Sequence, residues 1–363
     1  MSELSRESVE QALKQYSDPY LDTNLMAAKA ISDISINDGA VSVDVALPYP
    51  CRGVADQLVA DLSSLIQDAT NASSVTVKVS SNIIAHSVQH GVKRLENIKN
   101  IIAVASGKGG VGKSTTSVNL ALALAGEGAT VGLLDADIYG PSQPRMMGLS
   151  GQPESADGKT IEPMENYGVQ TMSIGFLIDE ETPMIWRGPM VTQALEQLLN
   201  DTQWKDLDYL VIDLPPGTGD TQLTLAQKVP VSGAIIVTTP QDIALLDARK
   251  GLKMFEKVDV PILGIVENMS THVCSQCGHE EPIFGEGGGA SMAEEAGVNL
   301  LGALPLELSI RQQADSGKPT VVAEPDGKTA EIYRQIARKA AAKLARQAKD
   351  YSASFPNIVI QNT

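Results

Sequence analysis

The sequence predicts an α/β protein: a mostly parallel sheet flanked by helices, preceded by a small α+β domain. Three observations carry this. From residue 100 onward, short runs of Val, Ile, Leu and Ala alternate with helical segments. Those runs are apolar throughout, the pattern of strands buried on both faces, and such strands belong to parallel sheets with helices outside. Before residue 85 the texture is different, with polar–apolar alternation in paired strands and no strand–helix rhythm.

Taken in order, a first helix is expected over 5–16. Two strands follow, AISDISI and AVSVDVAL, separated by Asn37-Asp38-Gly39. Asp-Gly between alternating runs signals a hairpin. After PYPCRG, a helix over 54–69 and the strand SVTVKVSS complete a unit at residues 1–85. Residues 86–99, HSVQHGVKRLENIK, are polar and read as a linker in which His86 and His90 are solvated. The second domain, 100–350, opens on the strand IIAVAS and a helix over 113–126. Its later strands are TVGLLDAD, VQTMSI, DYLVIDL, GAIIVTT and PILGIVENM, with helices over 191–199, 222–229, 244–256 and 292–296. FGEGGG, residues 284–289, lacks a strand–helix setting and reads as a mobile loop near the cysteines rather than a second phosphate site. A final helix over 328–349 puts Ile332, Ile336, Ala340 and Leu344 on one stripe, as a docking helix does. Residues 351–363 are a tail.

Composition excludes some functions. The net charge of −16 over 363 residues argues against a general nucleic-acid binder, which neutralises phosphates with Lys and Arg. No run of about 18 apolar residues exists, so neither a membrane span nor membrane partner is expected. The polar start MSELSRESVEQALKQY lacks the apolar centre of a signal peptide. Three cysteines, Cys51, Cys274 and Cys277, favour a reducing, cytoplasmic setting over a disulfide framework.

The chemistry concentrates at SGKGGVGKST. Gly107-Lys108-Gly109-Gly110-Val111-Gly112-Lys113-Ser114 fits the phosphate-loop pattern G-x-x-x-x-G-K-[ST], placed after a strand and opening a helix. That pattern makes the second domain a P-loop NTPase domain. The glycines let backbone N–H groups turn toward an anion, and the helix N-terminus adds partial positive charge. Lys113 is expected on the β- and γ-phosphates of ATP, Ser114 on Mg²⁺, and Thr115 on the α-phosphate. Two strand ends supply acids. Asp213 ends YLVID ahead of LPPGTGD, where a Mg²⁺ or water holder sits. Asp135 and Asp137 end VGLLDAD, with Asp137 suited to orient the attacking water and Asp135 to support it or the metal; loop capping is the plainer reading of the pair. Trp186 and Arg187 of MIWRGPM read either as a partner contact or as a core strand end.

Lys108 is surplus to one nucleotide. It is either a solvated lysine or a cation reaching across a two-fold axis to the nucleotide of a second subunit, in the manner of an arginine finger.

Cys274 and Cys277 of THVCSQCGH can hold one metal centre, but two thiolates do not complete a Cys₄ site. A two-fold homodimer supplies four, enough for one bridging 4Fe–4S cluster. A bridging zinc fits the same four thiolates. His272 and His279 flank the pair and allow a mononuclear Cys₂His₂ site, and a redox dithiol is the remaining reading. Spacing alone does not separate cluster from zinc.

K-G-G-V-G-K-S resembles the deviant Walker A loop of the MinD/ParA/nitrogenase-iron-protein ATPases. More narrowly, DADIYGPS, WRGP, DLPPGTGD, TTPQDIALLDARKG and ENMS followed by C-x-x-C are similar to the Mrp/ApbC branch, over about residues 98–345. SDPYLDTNL and LPYPCRG resemble the MIP18-type domain often fused ahead of such ATPases. Tyr20 stands where that domain commonly has an acid, and Arg52 where it often has proline. The resemblance implies an ATP-binding homodimer that carries an iron–sulfur cluster, receives it from a scaffold or donor protein, and delivers it to apo-proteins. It further implies that Lys108 is the in-trans lysine, that Asp137 and Asp213 belong to the two switches, and that Asn268 of ENMS reads the adenine edge. It favours a cluster over zinc. Two other functions stand beside this one. A MinD/ParA-like positioning ATPase needs a cationic membrane tail or basic DNA face, which SASFPNIVIQNT and the acidic total do not provide. An electron donor like nitrogenase iron protein takes its cysteines from two separate loops.

Overall fold

In a computed structural model, residues 4–89, 91–178, 188–274 and 276–347 are described. His90, Trp186, Arg187 and the tail lie outside them.

The N-terminal part runs α1 (Arg6–Leu13), β1 (Ser17–Asp18), β2 (Thr23–Asn24), β3 (Ile31–Asn37), β4 (Ala40–Leu47), α2 (Arg52–Ala69) and β5 (Ser74–Ser81). Ser5 caps α1 through a capping box with Ser8, so the helix starts where the sequence places it. β3 and β4 are antiparallel about Asp38 and Gly39, whose φ values of 48° and 82° are those of a type I′ turn. β5 joins β4 in parallel, with α2 as the crossover.

The larger part runs β6 (Ile98–Ala105), α3 (Lys113–Gly126), β7 (Val131–Asp135), α4 (Gln143–Met146), β8 (Met164–Asn166), β9 (Val169–Ser173), α5 (Gly188–Asp201), β10 (Leu207–Asp213), α6 (Asp220–Lys228), β11 (Gly233–Thr238), α7 (Asp242–Lys257) and β12 (Ile262–Glu267). It continues with β13 (His272–Val273), β14 (Glu280–Glu281), α8 (Gly288–Ala296), β15 (Leu300–Ala303), α9 (Leu308–Asp315), α10 (Thr320–Ala323) and α11 (Lys328–Ala345). The eight-stranded sheet has the order β15-β12-β11-β6-β10-β7-β9-β8. Every pairing in it is parallel except β8 with β9. One apolar core joins α3 and α11 on one face to the N-terminal part, and the other lies under α5, α7 and α8. No helix among the described residues is long and apolar enough to cross a membrane.

One expectation fails here, and a second holds only as far as Gly287. His86 is buried, 1% exposed, rather than solvated, and its backbone N–H and Nδ1 lie 3.2 and 3.0 Å from Asn100 Oδ1. Gln89 donates to the Ala226 carbonyl at 2.7 Å, so this stretch is laid onto the larger part. FGEGGG leads into α8, and the Gly289 N–H donates to the buried Glu267 carboxylate. That internal anion closes the N-terminus of α8 against an outside phosphate.

The two parts meet behind α3. Glu127, one residue past its last turn, is 1% exposed. Its carboxylate accepts Gly53 N–H at 2.9 Å and lies 3.6 Å from Arg338 of α11, while its carbonyl accepts Arg52 N–H at 3.0 Å. Arg338, 3% exposed, also donates to the Tyr20 hydroxyl at 2.8 Å and stacks over its ring. Tyr20 and Arg52, the two departures from the N-terminal pattern, both stand at this junction. Cys51 is buried beneath it, 3.2 Å from Ser81 Oγ, and burial pushes its thiol pKa up.

Candidate functional site

The loop between β6 and α3 wraps the N-terminus of that helix. Gly112 has φ 83°, and a Cβ there would meet Asn268 Nδ2 at 2.1 Å, so only glycine fits. Gly107 is pressed against the backbone of Asp247 in α7. A cavity of about 220 Å³ opens above the loop, lined by Ser106, Lys108, Gly109, Gly110, Gly112, Lys113, Ser114, Thr115, Asp137 and Pro216. Backbone donors at a helix start beside two lysines fit a polyphosphate.

Lys113 is 6% exposed. Its Nζ lies 2.6 Å from Asp213 Oδ1, 3.8 Å from Asp137 Oδ2 and 3.2 Å from Ser114 Oγ. Parallel register sets this up, since Asp213 at the end of β10 sits beside Asp135 at the end of β7. Asp213 is fully buried and also accepts from Ser117 Oγ at 2.9 Å and Gln143 Nε2 at 3.0 Å. Asp135 accepts from the backbone N–H of Asp137, Ser142 and Gln143 and from Ser173 Oγ. Burial first, then the neighbouring Asp213, lifts the Asp135 carboxyl to about 7. Burial also raises Asp137, against the opposing pull of Lys113. The Ser114 hydroxyl and these carboxylates form an oxygen set that suits a hard divalent cation such as Mg²⁺.

Lys108 is half-buried at the cavity edge, and among the described residues no carboxylate pairs with it. A second cavity, about 400 Å³, adjoins through Gly112 and Thr115; Asn268, Met269, Pro305 and Leu306 line it. Asn268 donates its amide to the Val111 carbonyl at 2.9 Å, so it steadies the loop as well as facing that cavity.

Cys274 and Cys277 sit at the tip of the β13–β14 hairpin, half-buried and exposed respectively. Backbone N–H groups of Gln276 and Cys277 lower the Cys274 pKa, favouring the thiolate that a metal needs. His272 Nδ1 lies 3.1 Å from the Leu306 carbonyl, which ties the hairpin to the wall of the larger cavity. The Leu306 N–H donates to Thr271 and the Ser270 N–H to Leu304, extending that tie. Among the described residues no group of three or more His, Cys, Asp or Glu gathers in metal-binding geometry. A mononuclear Cys₂His₂ centre is therefore not assembled in this conformation. After the hairpin the chain runs past Pro240 and Leu245 at Gly288. Ile243 and Leu246, near the start of α7, are exposed, and Asp247 of the same helix backs onto Gly107 of the phosphate loop.

The sequence reading missed Ser117, Gln143 and Ser173. Ser117 was findable, since it lies four residues after Lys113 and so on the same helical face. Gln143 and Ser173 have no such signal.

Comparison with known proteins gives two family matches. The model for the NUBPL iron-transfer P-loop NTPase covers residues 97–341, and that for an iron-sulfur cluster assembly protein covers residues 6–79. The iron-sulfur cluster carrier protein of Escherichia coli strain K12 is 50% identical over 343 residues, 94% of this chain and 93% of that protein. The iron-sulfur cluster carrier protein of Pseudomonas fragi is 59% identical over 278 residues, 76% of this chain and 97% of that protein. A solved nucleotide-binding protein from Archaeoglobus fulgidus, in complex with ADP, matches at TM-score 0.57 and 37% identity, covering 66% of this chain and 93% of that one.

Proposed function

The chain belongs to the NUBPL iron-transfer P-loop NTPase family, and from that premise we propose that it is an ATP-driven carrier that binds an iron–sulfur cluster and passes it to apo-proteins. The cluster is cargo, received from a scaffold or donor protein. The observation that carries the reading is the hairpin: two accessible thiols, one favoured as thiolate, with no third ligand gathered beside them among the described residues. Two copies of the chain facing each other supply four thiolates, the complement of one 4Fe–4S cluster. An exposed cluster suits a carrier, because an acceptor must reach it.

The same pairing gives Lys108 its role. Lys113 serves the nucleotide of its own subunit, and Lys108 serves that of the partner. Ile243 and Leu246 are 66% and 51% exposed on the phosphate-loop side, and burying them against a second copy supports the homodimer. In this reading Ser114 and Asp213 hold Mg²⁺, directly or through water, and Asp137 orients the attacking water. Gly107, Lys108, Gly109, Gly110, Val111, Gly112, Lys113, Ser114 and Thr115 cradle the phosphates, and Asn268 lines the base cavity.

Anaerobic reconstitution of the full chain with iron and sulfide, followed by iron, sulfide and zinc analysis on the intact oligomer, tests this. About one four-iron cluster per dimer is expected. Cys274→Ala or Cys277→Ala should abolish it. A zinc-loaded dimer, a monomer holding a full cluster, or unchanged iron in either variant overturns the reading.

A further inference from the structure

We propose that Gln143 is a positioning residue for the metal–nucleotide centre: it keeps Asp213 aimed toward Ser114 once Lys113 turns to the phosphates. This rests on the Mg²⁺–nucleotide reading of the loop.

In the present conformation Asp213 has three donors among the described residues, Lys113 and Ser117 on Oδ1 and Gln143 on Oδ2. A nucleotide draws Lys113 away. The carboxylate stays fully buried and then depends on Ser117 and Gln143 to hold its direction. The two do different work. Ser117 lies on α3, one turn beyond Lys113, and touches the oxygen that Lys113 vacates. Gln143 touches the other oxygen. Its Nε2 also donates to the Ser114 carbonyl at 3.1 Å. One amide thus spans the strand-end carboxylate and the backbone of the residue whose hydroxyl meets the metal.

Gln143 is itself held in place. It is 0% exposed, and its backbone N–H donates to Asp135 Oδ2 at 3.0 Å. Asp135, Asp213 and Ser114 are therefore joined through this residue. The two oxygens facing Nε2 fix which way the amide points. Its Oε1 is left buried with no protein donor among the described residues. An apolar side chain of similar volume would fill the space without that unmet acceptor. Packing alone does not account for a glutamine here, whereas two oxygens that must be kept in register do.

The test uses the full-length protein and two near-isosteric variants, Q143M and Q143E. A fluorescent ADP analogue is bound first in EDTA and then during a Mg²⁺ titration, with thermal unfolding followed in parallel. In Q143M the Mg²⁺ concentration giving half of the metal effect should rise by about 10- to 100-fold, the usual loss when a group supporting a metal ligand is removed. The metal-free affinity should move far less, and the melting temperature should drop by several degrees in EDTA and in Mg²⁺ alike, because buried Asp213 loses one donor. Q143E sets a second carboxylate against Asp213 Oδ2 and should shift the Mg²⁺ requirement in the same direction. Parent-like Mg²⁺ dependence in both variants overturns the proposal while leaving the nucleotide reading intact. Equal loss with and without metal also overturns it, because the role is then structural. A parent protein whose nucleotide binding ignores Mg²⁺ brings down both.

Discussion

Lys113→Ala removes more than a phosphate contact. In the nucleotide-free protein this lysine neutralises a carboxylate with no exposed surface, at 2.6 Å. Deleting one partner of a buried pair costs about 3–5 kcal/mol, because the other charge stays buried. Ser117 and Gln143 still donate to Asp213 in the variant. Hydrogen bonds to a charge are worth about 1.5–3 kcal/mol each, which puts the loss at the lower end, about 3 kcal/mol. At roughly 2–4 °C per kcal/mol for a domain of this size, the metal- and nucleotide-free protein should melt about 6–12 °C lower. Adding Asp213→Asn removes the orphaned charge, so the double variant should recover part of that loss, a coupling of about 1–3 kcal/mol. The assay is thermal unfolding in EDTA, with and without ATP. Nucleotide should raise the melting temperature of the parent and leave that of Lys113→Ala unmoved. A shift in the EDTA melt no larger than that of a surface substitution, about 0.5 kcal/mol, refutes the buried pair as described.

Other outcomes follow from the same contacts. Lys108→Ala should retain ATP binding and lose about 10³-fold or more in hydrolysis, as when an arginine finger is removed; normal turnover eliminates the in-trans role. Asp135 titrates near 7 when folded, against an ordinary 3.8, so the native state holds the extra proton. Its contribution to stability is full below 3.8 and lost as pH rises through about 7, and Asp135→Asn should flatten that part of a pH–melting profile. Glu127→Ala takes one carboxylate from Arg338 but leaves Glu331 at 2.8 Å, so a loss of about 2 kcal/mol is expected, below the full cost of a broken buried pair. Proteolysis within residues 86–99 should quicken in that variant, and an unchanged cleavage rate would count against the junction.

The parts of the molecule that were legible are those written in local chemistry. The Asp38-Gly39 turn and the strand–glycine–lysine–helix unit around Lys113 need no knowledge of distant residues. Asp213 could be placed at a strand tip because the run Leu210-Val211-Ile212 just before it is apolar. Short edge elements were not legible, since β8 has three residues and β15 four, too few for a period to emerge. His86 misled because a polar stretch looks solvated until Asn100 is known to lie beneath it. Gly288 and Gly289, which open α8, looked like loop because the carboxylate that closes the helix comes from Glu267, in another element. Gln143 follows a Pro-Ser turn with no periodic cue, and its significance arises only when two strand ends and the start of α3 are brought side by side.

The junction behind α3 also constrains how the protein is made. Tyr20 meets Arg338 across 318 residues of chain, and Asp22 meets Arg346 across 324. The segment around Tyr20 thus finds its seat only after the segment around Arg338, 318 residues later, has emerged from the ribosome. Until α11 is made, the N-terminal part must wait with its contact face uncovered, and its seating reports that the segment carrying α11 has been synthesised.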